Sequence, residues 1–169
     1  IIGPFIVLTS PNGGENWGIG TEREITWEAT LLSEVKLELS RDGGSNWEVI
    51  AASTANDGSE TWTVTGPIAA DCLVRVGATD DSVSDDSDDL FAIYQPVDWL
   101  TVDPLTGSVP EGATQPLELS FDATGLALTT HTAYLVITHN AVGGPTVVPV
   151  TLTVTDPASP AGLPGAVFH

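Results

Sequence analysis

Between residues 80 and 89 the chain reads Asp-Asp-Ser-Val-Ser-Asp-Asp-Ser-Asp-Asp, its densest concentration of one kind of chemistry. Asp80, Asp81, Asp85, Asp86, Asp88 and Asp89 are hard oxygen donors, spaced by serines along a segment with the polarity of a loop. Calcium takes about six to eight such oxygens in flexible geometry, so cation binding is the chemistry this pattern offers. Without an ion the carboxylates repel one another, and a bound ion would stiffen the loop. The spacing is not that of an EF-hand, which requires a Gly and a distal Glu at set positions. The competing reading is a solvated turn, the ordinary fate of an acidic run. Calcium is the one cofactor suggested; otherwise none is expected.

The remaining reactive side chains are sparse. His131, His139 and His169 are the only histidines, and none has a Cys or a second His at metal-ligand spacing. No Ser lies in a nucleophile elbow, and no Gly-rich loop is built to cradle phosphate. So many acids leave open a carboxylate pair for glycoside hydrolysis. A small sandwich filled by its own side chains, however, has little room for a substrate cleft. No catalytic residue is assigned, and the expectation is a non-enzyme. Cys72 is the only cysteine, which rules out an intrachain disulfide; followed by Leu73 and Val74, it reads as a small buried hydrophobe.

A second constellation lies at the ends. Ile1, Ile2 and Phe5 at the front, and Leu163, Val167 and Phe168 at the back, are apolar residues in a very acidic chain. Exposed strand edges template the addition of another chain's strand, and such addition builds fibres. These six residues are therefore the expected subunit interface of a homo-oligomer or filament. The alternative is packing within their own domains, with Phe5 to Leu8 as an ordinary first strand.

The elements that must hold these residues are strands. Val35, Leu37 and Leu39 alternate with Lys36, Glu38 and Ser40, the period of a strand with one buried face. Asp42-Gly43-Gly44 supplies a tight turn, and a second strand follows with Trp47, Val49 and Ala51 on its inner face. Asn56-Asp57-Gly58 reads as another turn, and Thr61 to Val64 as a third strand completing a β-meander. Phe5 to Thr9, Glu24 to Trp27, Asp71 to Ala78 and Leu90 to Tyr94 supply the rest, about seven strands in all, as in a sandwich of antiparallel sheets. Pro96 marks a boundary. Beyond it, a strand from Asp98 is read as continuing through Leu105 to Pro110, and Leu117, Leu119 and Phe121 alternate with Glu118, Ser120 and Asp122. Residues 132–140 and 146–155 are β-branched runs. The fold class is all-β, two tandem immunoglobulin-like antiparallel β-sandwiches at 1–95 and 96–156, with a Pro/Gly/Ala-rich tail or linker at 157–169.

Charge narrows the partners. Only Arg23, Lys36, Arg41 and Arg75 are basic among 169 residues, and the formal net charge is −19. Nucleic acid and anionic membrane surfaces would repel such a chain. No apolar run is long enough to insert as a membrane helix. A chain starting at Ile1 suggests a processed product or a segment of a longer protein.

Residues 5 to 94 carry ordered landmarks: SPNGGENWGIGTEREITW, VKLELSRDGGSNWEVIA, NDGSETWTV and CLVRVGATDDSVSDDSDDLFAI. This set resembles the immunoglobulin-like repeat of large bacterial secreted proteins, akin to the yeast cell-wall glucan-assembly family and its Ser/Thr-rich anchored relatives. Residues 97 to 155, opening with WLTVDPLTGSVPEG and closing with TAYLVITHNA and VPVTLTV, resemble the BACON-type immunoglobulin-like modules of bacterial extracellular proteins. The LPGAVFH ending is similar to the segment preceding the removable sorting domain of type IX secretion substrates; a plain interdomain linker is the equal alternative. These resemblances imply a secreted protein, extracellular or at the cell surface, acting as a structural component, filament subunit or adhesin. The alternative they imply is a carbohydrate-binding or spacer module of a large secreted hydrolase, with a cell-surface glycan as partner. Trp17 and Trp99 are the aromatics considered for a sugar platform, and both fit a core role better.

Overall fold

The structure, a computed structural model, describes residues 3–139, 141 and 145–156. Among the described residues there are thirteen strands and no helix. In chain order they are β1 (Phe5–Ser10), β2 (Asn16–Gly18), β3 (Glu22–Thr30), β4 (Glu34–Ser40), β5 (Glu48–Ala55), β6 (Ser59–Thr63), β7 (Ala69–Ala78), β8 (Ser84–Asp86), β9 (Phe91–Tyr94), β10 (Leu100–Asp103), β11 (Glu118–Phe121), β12 (Thr130–Ile137) and β13 (Thr146–Thr153). The chain divides into two compact units: β1 to β9 belong to the first, β10 and β11 to the second, and the paired strands β12 and β13 contribute to both.

In the first unit one sheet has the order β1-β3-β6 and the other β2-β9-β7-β4-β5, with β8 also pairing β7. Alternation dictates which side chains fill the space between the sheets. Ile6 and Leu8 of β1 and Ile25 and Trp27 of β3 face Val35, Leu37 and Leu39 of β4 and Cys72, Val74 and Val76 of β7 in one core. Phe91 and Ile93 close it, and Trp17 packs on Phe91 at 5.1 Å between ring centroids. Each such side chain contributes about 1.5–3 kcal/mol on burial, which makes this cluster the main favourable term for the unit. Pairing is antiparallel throughout except that β2 runs parallel to β9.

Three expectations from the sequence are corrected here. The segment from Val35 to Val64 is not a meander. β4 and β5 form a hairpin, but β6 pairs with β3 in the opposite sheet. The Asn56-Asp57-Gly58 turn is thus a corner between sheets, held by its side chains: Trp27 Nε1 donates to Asn56 Oδ1 at 2.9 Å, and Asn56 Nδ2 donates to the Leu32 carbonyl at 3.0 Å. Val49 does not face inward and is 63% exposed. Leu37 pairs with Ala51 while Glu38 pairs with Val49, so Ile50 is an extra residue in a β-bulge, and its insertion turns Val49 to the outer face. Leu105 to Pro110 does not continue the strand, which ends at Asp103. Pro104 has no N–H to extend the ladder, and Leu105 is 86% exposed.

In the second unit β10 and β11 pair antiparallel, Leu100 opposite Phe121 and Asp103 opposite Glu118. Trp99 is buried and stacks on Phe121 at 6.3 Å, with His131 tilted against it at 6.4 Å. β12 and β13 form their own two-stranded sheet. Contacts between Thr130 and Thr153 at one end and His139 and Thr146 at the other make the pair antiparallel. Leu117, Phe121, Leu128, Val147 and Val148 remain exposed, so apolar side chains reach the surface in this half of the chain.

Candidate functional site

The acidic segment is a strap, not a free loop. Residues 84–86 form β8 along Arg75 to Gly77 of β7, and the segment then bends back toward the opposite sheet. Asp85 Oδ2 accepts the Leu8 backbone N–H at 2.8 Å, which satisfies an outward donor of edge strand β1. Ser87 is buried: its hydroxyl accepts from the Val74 N–H at 3.0 Å and donates to the Pro11 carbonyl at 2.8 Å. Asp88 and Asn12, 76 positions apart, make a reciprocal pair. Asn12 Nδ2 donates to Asp88 Oδ2 at 2.7 Å, and the Asp88 N–H donates to Asn12 Oδ1 at 2.8 Å. The strap therefore ties the β7 side of the core to β1 and to the turn that follows it.

That turn is shaped to receive the strap. Glu15 folds back so that its carboxylate accepts the N–H groups of Asn12 and Gly13, both at 2.8 Å. The Gly14 N–H donates to the Leu90 carbonyl at 2.8 Å. Gly13 sits at φ +130°, and a Cβ placed there would lie 2.6 Å from Asp89 Cβ, so only glycine fits.

The other aspartates also have protein partners. Asp80 accepts the Ser82 N–H at 3.0 Å, and its carboxyl is held below the usual range by hydrogen bonds from the Ser82 side chain and backbone. Asp81 pairs with Lys36, which also reaches Glu38 at 3.2 Å. The Asp81 hydrogen bond, reinforced by Glu38, raises the Lys36 pKa against the opposing effect of burial. Asp86 takes Arg75 in a two-pronged contact at 2.6 and 2.8 Å, and the guanidinium lies 4.0 Å over the Trp47 ring. Asp89 accepts the Leu90 N–H at 2.8 Å. The six aspartates thus diverge to different partners, and among the described residues no group of three or more His, Cys, Asp or Glu side chains is placed to hold a metal ion.

Of the expected interface residues, Phe5 opens β1 opposite Thr30 and is 48% exposed. Ile1, Ile2, Leu163, Val167 and Phe168 lie outside the described residues. Trp17 and Trp99 are both in cores. Cys72 is fully buried, and burial pushes its thiol up to about 12. Asn12, Glu15 and Ser87, which organise the strap, carry no chemical signal of their own in the sequence, and Trp47, expected on an inner face, lies instead on the outer sheet face under the Arg75 guanidinium. Pro11-Asn12-Gly13-Gly14 has the composition of a turn, and nothing local connects it to residue 88.

One shallow pocket of about 160 Å³ lies at the β4–β5 turn, lined by Leu39, Arg41, Asp42, Asn46, Trp47 and Glu48. Asp42 is held low by hydrogen bonds from the Asn46 side chain and backbone, and Arg41 spans Glu48, the Pro67 carbonyl and Thr65. No family of known proteins matches the chain, and no curated protein or solved structure matches it either.

Proposed function

We propose that this chain is a secreted, non-enzymatic structural protein of the cell surface that self-associates into a filament or acts as an adhesin. In this reading it consists of two tandem immunoglobulin-like sandwiches, 1–95 and 96–156, and a tail. The observation that carries the structural role is the strap. The side chains richest in potential chemistry, Asp85, Ser87 and Asp88, are committed to stitching one sheet to the other. Strand order supports the immunoglobulin-like assignment: β1-β3-β6 corresponds to strands A-B-E, and β9-β7-β4-β5 to G-F-C-C′. The apolar side chains exposed from Leu105 to Val148 support association, since surface of this kind marks contact sites.

Negative-stain microscopy of the native secreted material tests the proposal, alongside a variant lacking residues 1–4 and 157–169. Filaments are expected from the native chain and none from the truncated one, with both sandwiches still folded. Dispersed native particles would sink the filament reading. Because each aspartate of the strap already has a protein partner, filaments should survive chelation. Their loss in chelator would assign calcium to residues 80–89.

The alternative, a carbohydrate-binding or spacer module of a large secreted hydrolase, is favoured by the pocket beside Trp47, which combines an aromatic ring with Asn and acid side chains. Its volume is below the roughly 300–1,000 Å³ of ordinary ligand sites. Glycan-array binding that Trp47→Ala abolishes would move the assignment there.

A further inference from the structure

Asn12-Gly13 is the only Asn-Gly step in the chain. Such a step is intrinsically reactive, because Gly has no side chain to keep its amide nitrogen from the preceding Asn carboxamide. The Gly nitrogen attacks Cγ of the Asn: the N–Cγ bond forms, the Cγ–Nδ2 bond breaks, and the proton lost from the Gly nitrogen leaves with the carboxamide nitrogen as ammonia. Water then opens the cyclic imide at one of its two carbonyls and leaves an aspartate or an isoaspartate in place of the Asn. Nothing is oxidised or reduced, and water is the only co-reactant.

The fold holds the reacting groups of this step apart. In the planar imide Cγ takes the place of the amide hydrogen, so the direction of the Gly13 N–H is the direction of attack. Glu15 Oε2 fills that direction, accepting the Gly13 N–H at 2.8 Å, while its Oε1 accepts the Asn12 N–H at 2.8 Å. The Asn12 carboxamide is engaged by the strap at both of its atoms, with Oδ1 accepting the Asp88 N–H at 2.8 Å and Nδ2 donating to Asp88 Oδ2 at 2.7 Å. The surrounding turn is fixed as well: the Gly14 N–H donates to the Leu90 carbonyl at 2.8 Å and the Ala92 N–H to the Glu15 carbonyl at 2.9 Å. Burial adds little to this restraint, since Gly13 and Asp88 are exposed and Asn12 is half-buried. Water reaches the step, and hydrogen bonds restrain it.

We propose that Asn12 is a deamidation site gated by the strap. Asn12 reacts from the state in which the strap has lifted off the turn, and the product makes that opening permanent. A carboxylate at this position has no Nδ2 hydrogen to offer Asp88 and sets a second negative charge against it. The isoaspartate also adds a backbone atom to a turn packed so closely that a Cβ at Gly13 would lie 2.6 Å from Asp89 Cβ. Release of the strap frees the Leu8 N–H of edge strand β1, which Asp85 otherwise covers. The site thus converts a transient opening into lasting exposure of a strand edge.

Peptide mapping by mass spectrometry of the full chain, aged in native buffer and in denaturant at the same pH, follows loss of the Asn12 carboxamide. In denaturant Asn12 should react ahead of Asn16, Asn46 and Asn56, which stand before Trp17, Trp47 and Asp57. In native buffer its rate should fall by the fraction of time the strap is open, which hydrogen exchange of the Asp88 amide measures. Asp88→Ala removes the charge-assisted bond to Nδ2 and should accelerate the native reaction about tenfold or more while leaving Asn46 unchanged. Asn12→Asp, which mimics the aged chain, should lower the exchange protection of the Leu8 amide about tenfold. Combining it with Asp88→Asn returns a donor opposite the carboxylate and should restore that protection. A native rate equal to the denatured one overturns the proposal, as does an Asp88→Ala chain that ages no faster than its parent. Equal acceleration at Asn12 and Asn46 would trace the effect to global unfolding and overturn it too. Leu8 protection unchanged by Asn12→Asp would show that the product does not release the strap.

Discussion

Asp85 shows how a residue chosen for one chemistry serves another. Its carboxylate points at a backbone amide, so its value lies in satisfying the donor of Leu8, whose own side chain is 1% exposed. Removing that acceptor should cost about 1–3 kcal/mol, the penalty for stranding a partly buried N–H. Asp85→Ala and Asp85→Asn both relieve the same repulsion from the neighbouring aspartates, but only Asn keeps an acceptor oxygen. The difference between the two variants in chemical denaturation therefore isolates the bond. Asp85→Ala should be the less stable by at least about 1 kcal/mol. Equal stabilities would mean that water replaces the carboxylate at no cost and that the strap is not held at this point.

At the scale of elements, residues on strands with unbroken alternation were legible. Val35, Leu37 and Leu39, and Cys72, Val74 and Val76, lie in the core as their period requires. What the sequence concealed depends on contacts between distant segments. The Asn56-Asp57-Gly58 turn has the composition of a hairpin, yet it is a corner because Asn56 finds Trp27 and Leu32. The bulge at Ile50 leaves no local signature, so Val49 was placed on the wrong face. The acidic stretch was recognised as a cluster, but its register against β7 and its bonds to Asn12 and Leu8 reach across most of the unit. The turn at 10–15 gives a test at this scale. Gly13→Ala must displace Asp89 and adopt φ +130°, whereas Gly14→Ala, at φ +82°, meets open space. Gly14→Ala should cost about 1 kcal/mol from backbone strain alone. Gly13→Ala should cost at least about twice that and lower the hydrogen-exchange protection of the Leu8 amide as the strap loosens. Equal losses from the two variants would show that the strap does not press on the turn.

Charge governs the molecule as a whole, because 23 acids face four bases. Such an excess destabilises the compact state by self-repulsion, and salt should reverse this as the screening length falls from about 10 Å at 0.1 M to about 3 Å at 1 M. Acid acts in two opposed ways. A smaller net charge reduces the self-repulsion of the compact state. Asp42, Asp80 and Asp122 act in the other direction. Hydrogen bonds from the side chain and backbone of Asn46, Ser82 and Thr124 respectively hold each below the usual value of 3.8. A carboxyl depressed in the folded state contributes stability that is fully present above its unfolded pKa and is lost as pH falls through its folded pKa. That loss begins below about pH 4. At the alkaline end Lys36 and Arg75 are raised by their hydrogen bonds to Asp81 and Asp86, so their contributions hold below their unfolded pKa values and fade only as pH climbs through the folded ones, above 10.5 for Lys36. At low salt the melting temperature should therefore peak between about pH 4 and 6, and molar NaCl should raise the neutral side toward that peak while leaving the acid limb in place. Calorimetric scans across pH at the two salt levels decide the matter. A neutral-pH melting temperature indifferent to salt would show that the carboxylates are arranged so that their repulsion is already cancelled in the folded chain.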